Sequence, residues 1–215
     1  MYLIELYKLI EDGESFNVEF KRKFSSPEKI AKEMIAFANS KGGKIIFGVD
    51  DDRKIIGIDS EKGEIELVSS AAKFYCEPEV EFTTEIVSIK NSDLLVVDVP
   101  ESKRKPHRLV NDGPDNNNKV YVRLNDKSVI ASRETIQILK SLNNPNPLKI
   151  TFGIIEKTLI NYLNQHERIT VKEFKKLVNI SERRASRILV NLVRAGVLLH
   201  HRIDNYEFFS VQQEL

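Results

Sequence analysis

Between Leu142 and Leu148 the chain reads Leu-Asn-Asn-Pro-Asn-Pro-Leu, where two prolines and three asparagines disfavour helix and strand alike. No regular element can run through such a stretch, so the fold has to be assembled from a piece on either side of it. The expected domains are residues 1–145 and residues 148–215. Charge separates the same two pieces. Residues 148–215 hold 11 Lys+Arg against 7 Asp+Glu, a balance of +4, and the first 147 residues hold the remaining 22 and 25, a balance of −3. The formal net charge of +1 is a cancellation between an acidic large piece and a basic small one.

With 41% hydrophobic and 30% charged residues, the 215-residue chain has enough apolar surface to fold without staples and is neither disordered nor fibrous. Cys76 is its single cysteine, which excludes an intramolecular disulfide and any multi-cysteine metal site and fits a reducing, cytoplasmic setting. At the start, Leu3, Leu6, Tyr7 and Ile10 share one helical face and are interrupted by Glu5 and Lys8, the pattern of a docked helix rather than a signal peptide. No run of about 18 apolar residues occurs, so no membrane partner is expected.

In the first piece, Ser25 and Glu28 have capping-box spacing and Pro27 suits a first turn, which predicts a helix over 27–39 with Ile30, Met34, Phe37 and Ala38 as its apolar stripe. Gly42 and Gly43 end it. Residues 44–49 then read as a buried strand running into the acidic turn Asp50, Asp51, Asp52, and residues 53–58 as a returning strand. A helix over 64–75, paired strands over 79–89 and 94–99, a strand over 119–124 and a helix over 133–141 complete an α+β domain with a mixed sheet. Residues 103–118 are polar enough to predict a long surface loop.

The second piece predicts helix, helix, turn, helix and two short strands. Phe152, Ile155, Leu159, Tyr162 and Leu163 stripe the first helix, and Val171, Phe174, Leu177 and Val178 the second. Ser181 N-caps a third helix over 182–195, closed by Gly196, with Ala185, Ile188, Leu189, Leu192 and Val193 inward and Arg183, Arg184, Arg187, Asn191 and Arg194 outward. A hairpin turns at Asp204-Asn205 before Tyr206, Phe208 and Phe209. Over residues 150–211 this arrangement resembles the winged helix-turn-helix family, and the resemblance implies groove contacts from Arg183, Arg184 and Arg187 and a wing contact from Arg202 with His201. Arg194 shares the outward face and belongs to the same candidate nucleic-acid set. A solvated helix face on a dimerisation or protein-docking module is the alternative use of the same pattern.

Two further segments, Glu14-Ser-Phe-Asn-Val-Glu-Phe-Lys21 and Met34-Ile-Ala-Phe-Ala-Asn-Ser-Lys-Gly-Gly-Lys-Ile-Ile-Phe-Gly-Val-Asp-Asp-Asp52, are similar to the Schlafen-type Alba-like (AlbA) domain of bacterial and archaeal regulators. Lys105-Pro106-His107 and Tyr121-Val-Arg-Leu-Asn-Asp-Lys-Ser128 match its basic loop and late tyrosine-arginine strand, without the glycine usual after the arginine. The resemblance spans about residues 12–140 and implies an α/β fold that binds nucleic acid. Ribonuclease members of the family carry an acidic triad, which maps to Glu14, Glu19 and Asp50, with Asp51 as a substitute for the last. Oxygen ligands of that kind suit Mg²⁺ or Mn²⁺, and Lys21 would steady developing charge. Domains of this kind were once regarded as divergent ATPases, but no G-x-x-x-x-G-K-[ST] string occurs and Gly42-Gly43-Lys44 opens a strand rather than a helix. A phosphate held without hydrolysis beside Lys41 and Lys44 stays open.

Lys105 and His107, in the run Lys103-Arg104-Lys105-Pro106-His107, are candidates for phosphate contact, with a solvated loop as the alternative. His200 and His201 alternate across a strand and make a poor metal pair. Cys76, after Phe74 and Tyr75, reads as a buried thiol, and no G-x-S-x-G setting supports a serine hydrolase. The expected function is a DNA-binding transcriptional regulator without a required cofactor, working on duplex DNA as a homo-oligomer, most simply a dimer. The alternatives are a Mg²⁺- or Mn²⁺-dependent nuclease acting on RNA through Glu14, Glu19, Lys21 and Asp50, and an interaction adaptor that binds no nucleic acid.

Overall fold

The computed structural model describes residues 2–110, 119–143, 151–204 and 206–212 and divides into two compact units, Met1–Ala131 and Ser132–Leu215. The first unit runs α1 (Leu3–Asp12), β1 (Val18–Lys21), α2 (Pro27–Asn39), β2 (Gly43–Phe47), α3 (Glu61–Tyr75), β3 (Cys76–Glu77), β4 (Thr83–Ile89), β5 (Ser92–Val99), β6 (Arg108–Leu109), β7 (Tyr121–Leu124) and β8 (Lys127–Ile130). Four strands form a mixed sheet in the order β1-β2-β5-β4, parallel between β1 and β2 and antiparallel elsewhere.

Both faces of that sheet are covered, which is why its central strands read as continuous apolar runs. Side chains alternate across a strand. Ile45, Phe47, Leu95, Val97 and Val99 therefore join α2 and α3 in one core, while Ile46, Leu94 and Val96 join Leu6 and Ile10 of α1 in another. The helix α2 begins as its sequence demands, with Pro27 in the first turn, but the capping oxygen is that of Ser26, not Ser25, and accepts the Lys29 N–H at 3.4 Å. Burial extends well round this helix, since α3, β2 and β7 all pack on it.

Residues 53–58 do not form the expected strand. Positive φ at Gly48 (92°) and Arg53 (66°) turns the chain too sharply for a ladder, and only a single bridge, Val49 to Ile55, remains. Residues 103–110 correct the surface-loop expectation: they contain β6, paired with β3, and bury Lys105 and His107. The rest of that stretch, 111–118, lies outside the described residues. After β7, a hairpin with Asn125 at φ 54° returns as β8, an element the sequence reading lacked.

The second unit contains α4 (Arg133–Leu142), α5 (Ile154–Leu163), α6 (Val171–Leu177), α7 (Glu182–Arg194), β9 (Leu198–Ile203) and β10 (Tyr206–Val211). Helix α4, which the sequence groups with the first domain, counts with this unit: Ser186 Oγ on α7 donates to Glu134 Oε1 at 2.6 Å. The Asn-Pro stretch from 144 to 148 lies outside the described residues, as does Asn205 at the hairpin turn. Caps fix the helices locally. Thr170 Oγ1 accepts the Glu173 N–H at 3.2 Å while Glu173 accepts the Thr170 N–H at 2.7 Å, and Ser181 Oγ accepts the Arg184 N–H at 3.3 Å. Leu159, Leu163, Ile169, Phe174, Ala185, Leu189, Leu192, Leu198 and Phe209 make the core. Phe152 stands apart from it, ahead of α5 and exposed.

Candidate nucleic-acid interface and the signature cluster

The conspicuous motifs of the first unit converge on one buried polar cluster. Arg123, on β7, has a fully buried side chain whose Nη1 donates to Glu19 Oε2 at 3.0 Å, to Glu33 Oε2 at 3.3 Å and to Ser128 Oγ at 3.1 Å. Its Nη2 and Nε donate to the carbonyls of Ser15 at 2.7 Å and Phe16 at 3.1 Å, and its guanidinium lies 4.6 Å from the centroid of the Phe37 ring. Ser128 Oγ also donates to Glu33. Asn39 and Ser40 tie in the remaining segments: Asn39 Nδ2 donates to the carbonyls of His107 (2.8 Å) and Tyr121 (2.9 Å), Asn39 Oδ1 accepts the His107 N–H (2.7 Å), and Ser40 Oγ accepts the Arg123 N–H (2.8 Å). Arg123 and Glu33 were missed as organising residues. The signal available was a glutamate on the inward side of α2 and an arginine inside an apolar strand, each needing a partner once buried.

The acidic residues are likewise engaged. Glu14 Oε1 accepts the Phe20 N–H at 2.9 Å, Glu19 is shared between Lys21 and Arg123, and Asp50 Oδ2 pairs with Arg22 at 3.2 Å. The Glu14 carboxyl is held above its ordinary range, first by desolvation and then by the negative charges of Glu19 and Asp51, against the Phe20 N–H and Lys21. A divalent cation would need these oxygens turned to a common point. Among the described residues, no group of three or more His, Cys, Asp or Glu side chains is arranged to hold a metal ion, and Arg123 already neutralises Glu19. Glu14, Glu19 and Asp50 do not fit a metal centre in this arrangement.

The Gly-Gly turn serves packing. A Cβ on Gly43 would lie 2.3 Å from the Phe37 ring and 2.7 Å from the Asn17 carbonyl, and Gly42 adopts φ 76°. Its flanking cations are paired, Lys44 with Asp98 at 2.5 Å and Lys41 with Glu101 at 3.5 Å. Lys105 is turned inward, donating to the Ser40 carbonyl at 2.8 Å and to Glu101 at 2.6 Å. His107, 1% exposed, is clamped between the Pro78 carbonyl at Nδ1 (2.7 Å) and Ser102 Oγ at Nε2 (2.6 Å). A carbonyl accepts only, so Nδ1 carries the proton and Nε2 accepts from Ser102. As expected contacts to a phosphate, Lys105 and His107 are corrected to internal clamps: neither presents its polar atoms to solvent.

Burial, with Arg104 and Lys105 adding repulsion, lowers the His107 pKa against the Pro78 hydrogen bond, which raises it. The unfolded imidazole takes up a proton near 6.5. Below that pH the unfolded state binds more protons than the folded one, so His107 makes the first unit less stable as pH falls from 6.5 toward the lower folded value. We expect His107→Gln to flatten that part of the urea-midpoint against pH profile; an unchanged slope would assign it to other groups.

In the second unit, Arg183, Arg184 and Arg187 are exposed on the outer side of α7, whose inner side carries Ala185, Leu189 and Leu192 at 0–1% exposure. None of the three arginines has an ion-pair partner among the described residues. Arg194 is half-buried in the last turn. Arg202 lies on the hairpin face that carries Phe209, where it donates to the Asp204 carbonyl at 3.1 Å and stands 3.6 Å from Glu207 Oε1. His200 shares that face and Glu207, at 3.4 Å; His201 faces the other way, stacked on Phe208. Among the described residues no helix is long and apolar enough to cross a membrane.

Comparison with known proteins gives two family matches. The model described as Schlafen, AlbA_2 matches residues 14–132, and that described as PCI domain matches residues 149–205. Among solved structures, the N-terminal domain of an ATP-dependent DNA helicase RecG-related protein from Nitrosomonas europaea is similar at 23% identity, covering 61% of this chain and 89% of that one with a TM-score of 0.44. The DIP2311 protein from Corynebacterium diphtheriae is similar at 15% identity, covering 75% of this chain and 36% of that one with a TM-score of 0.47.

Proposed function

The chain belongs to the Schlafen, AlbA_2 family, and on that premise we propose that it is a nucleic-acid-binding protein that contacts duplex DNA through α7 and acts as a transcriptional regulator. The observation that carries this reading is the set Arg183, Arg184 and Arg187, exposed together on a helix whose opposite side is core. In this reading α6, the Asn179 turn and α7 form a helix-turn-helix and the β9-β10 hairpin its wing, with α7 entering the major groove, where arginines meet phosphates and guanine edges. The first unit then contributes backbone contact or assembly. In a dimer, two copies of α7 would meet half-sites about 34–36 Å apart.

A nuclease reading draws no support from the geometry, since the carboxylates it needs are tied to Arg123, Arg22 and backbone. The duplex reading predicts that the duplex affinity of the whole 215-residue chain falls steeply with salt, log K against log salt having a slope of about −0.9 per neutralised phosphate. Salt-insensitive binding, or none, would overturn it.

A further inference from the structure

The β9-β10 hairpin, the wing of the α7 reading, has a face turned away from Phe209 whose apolar and aromatic side chains that reading does not assign. The antiparallel register pairs Leu199 with Ser210, His201 with Phe208 and Ile203 with Tyr206, so all six share the face away from Phe209. On it Leu199 is 41% exposed, Ile203 59% and Tyr206 43%. The rings are organised: His201 stacks on Phe208 at 4.8 Å and 14°, and Tyr206 tilts against Phe208 at 5.7 Å. Ile169 pairs with Phe209 through two backbone hydrogen bonds, which brings the neighbouring Arg168 alongside the hairpin. The Arg168 guanidinium lies 5.6 Å from the Tyr206 centroid and 5.5 Å from that of Phe208, and no carboxylate pairs with it among the described residues.

We propose that this face is a stacking platform for the unpaired bases of a single-stranded nucleic acid. An apolar partner would leave Arg168 without a counter-charge, and a simple anion would leave the exposed Tyr206 ring, Leu199 and Ile203 in water. A nucleotide strand supplies both complements at once, a flat π-face for the exposed Tyr206 ring, which Phe208 and its stacked His201 hold in place, and phosphates for Arg168. Duplex DNA cannot use the rings, because its bases stay stacked on one another. The proposal rests on the nucleic-acid reading of the family but not on α7, and it assigns the hairpin a substrate form that α7 does not serve.

The test is fluorescence anisotropy of the full chain with oligo(dT), oligo(rU) and a duplex. Binding to both single strands is expected, since stacking needs only a base plane. Tyr206→Ala and Arg168→Ala should each weaken it about tenfold, Tyr206→Phe should keep it within about twofold, and the two Ala variants should lose clearly less duplex than single-strand affinity. Tyr206→Phe preserves the ring and so reports on stacking in a protein with the same packing. Loss of single-strand binding in the α7 arginine variants but not in Tyr206→Ala or Arg168→Ala would overturn the proposal. So would wild-type protein that ignores single strands, or a dimer that Tyr206→Ala dissolves in their absence, which would make the face an interface between copies. If duplex binding is absent while single-strand binding depends on Tyr206 and Arg168, the α7 reading fails and the platform stands.

Discussion

Replacing Arg123 by Met should destabilise the first unit by about 3–5 kcal/mol, the cost typical of removing one member of a buried ion network. The side chain is fully buried, and without it the Glu19 and Glu33 carboxylates, themselves about one-tenth exposed, lose their shared counter-ion. Two backbone carbonyls, of Ser15 and Phe16, lose their donor as well. Met matches the aliphatic stem of Arg123 but not the guanidinium that lies over the Phe37 ring, so the loss reads polar satisfaction more than volume. Arg123→Lys keeps the charge but cannot reach five acceptors with one ammonium, and should recover less than half of the loss. Adding Glu33→Gln to Arg123→Met should also recover part of it, by removing a buried carboxylate left with only the more distant Lys32, at 3.7 Å, as counter-charge. The measurement is the urea unfolding transition of the first unit, since two units can unfold separately. A cost below about 1 kcal/mol for Arg123→Met would show that the cluster does not hold the motif segments together.

This cluster also explains what the sequence disclosed and what it withheld. Helix α2 was legible to the residue because Pro27, the apolar spacing and Gly42-Gly43 are local signals, and the mixed α+β class followed from alternating helix and strand patterns. Residues 53–58 misled because Ile55, Ile56 and Ile58 have strand composition, while the backbone there is decided by positive φ at Arg53 and Gly57. Lys105 and His107 misled for a different reason. Their polarity is real, but it is satisfied inside the fold by Ser40, Glu101, Pro78 and Ser102, residues up to 65 positions away whose proximity no local pattern encodes. The same holds for Glu19: its spacing to Lys21 was visible, its partner Arg123, 104 positions on, was not. On α7, by contrast, a 3.6-residue period suffices to separate Arg183, Arg184 and Arg187 from the core, so that surface could be read directly.

The second large effect concerns that surface. Exchanging Arg183, Arg184 and Arg187 together for Ala should lower duplex DNA affinity by more than about a hundredfold, since each lost contact costs about 1 kcal/mol or more. It should also reduce the slope of log K against log salt by about 2.7, or 0.9 for each phosphate no longer neutralised. Alanine is the strongest helix former and the three positions are solvent-facing, so α7 and the core beneath it should persist, with an unchanged thermal transition for the second unit. The matching triple Lys variant separates two roles for the same charges. If the arginines only hold phosphates, Lys should keep most of the affinity and nearly the whole salt slope. If they also read guanine edges, a single ammonium cannot supply the bidentate fork, and discrimination between sequences should collapse while the slope is retained. A triple Ala variant that binds duplex as tightly as the wild type would remove α7 from the interface and leave the charge asymmetry between the two halves of the chain without this explanation.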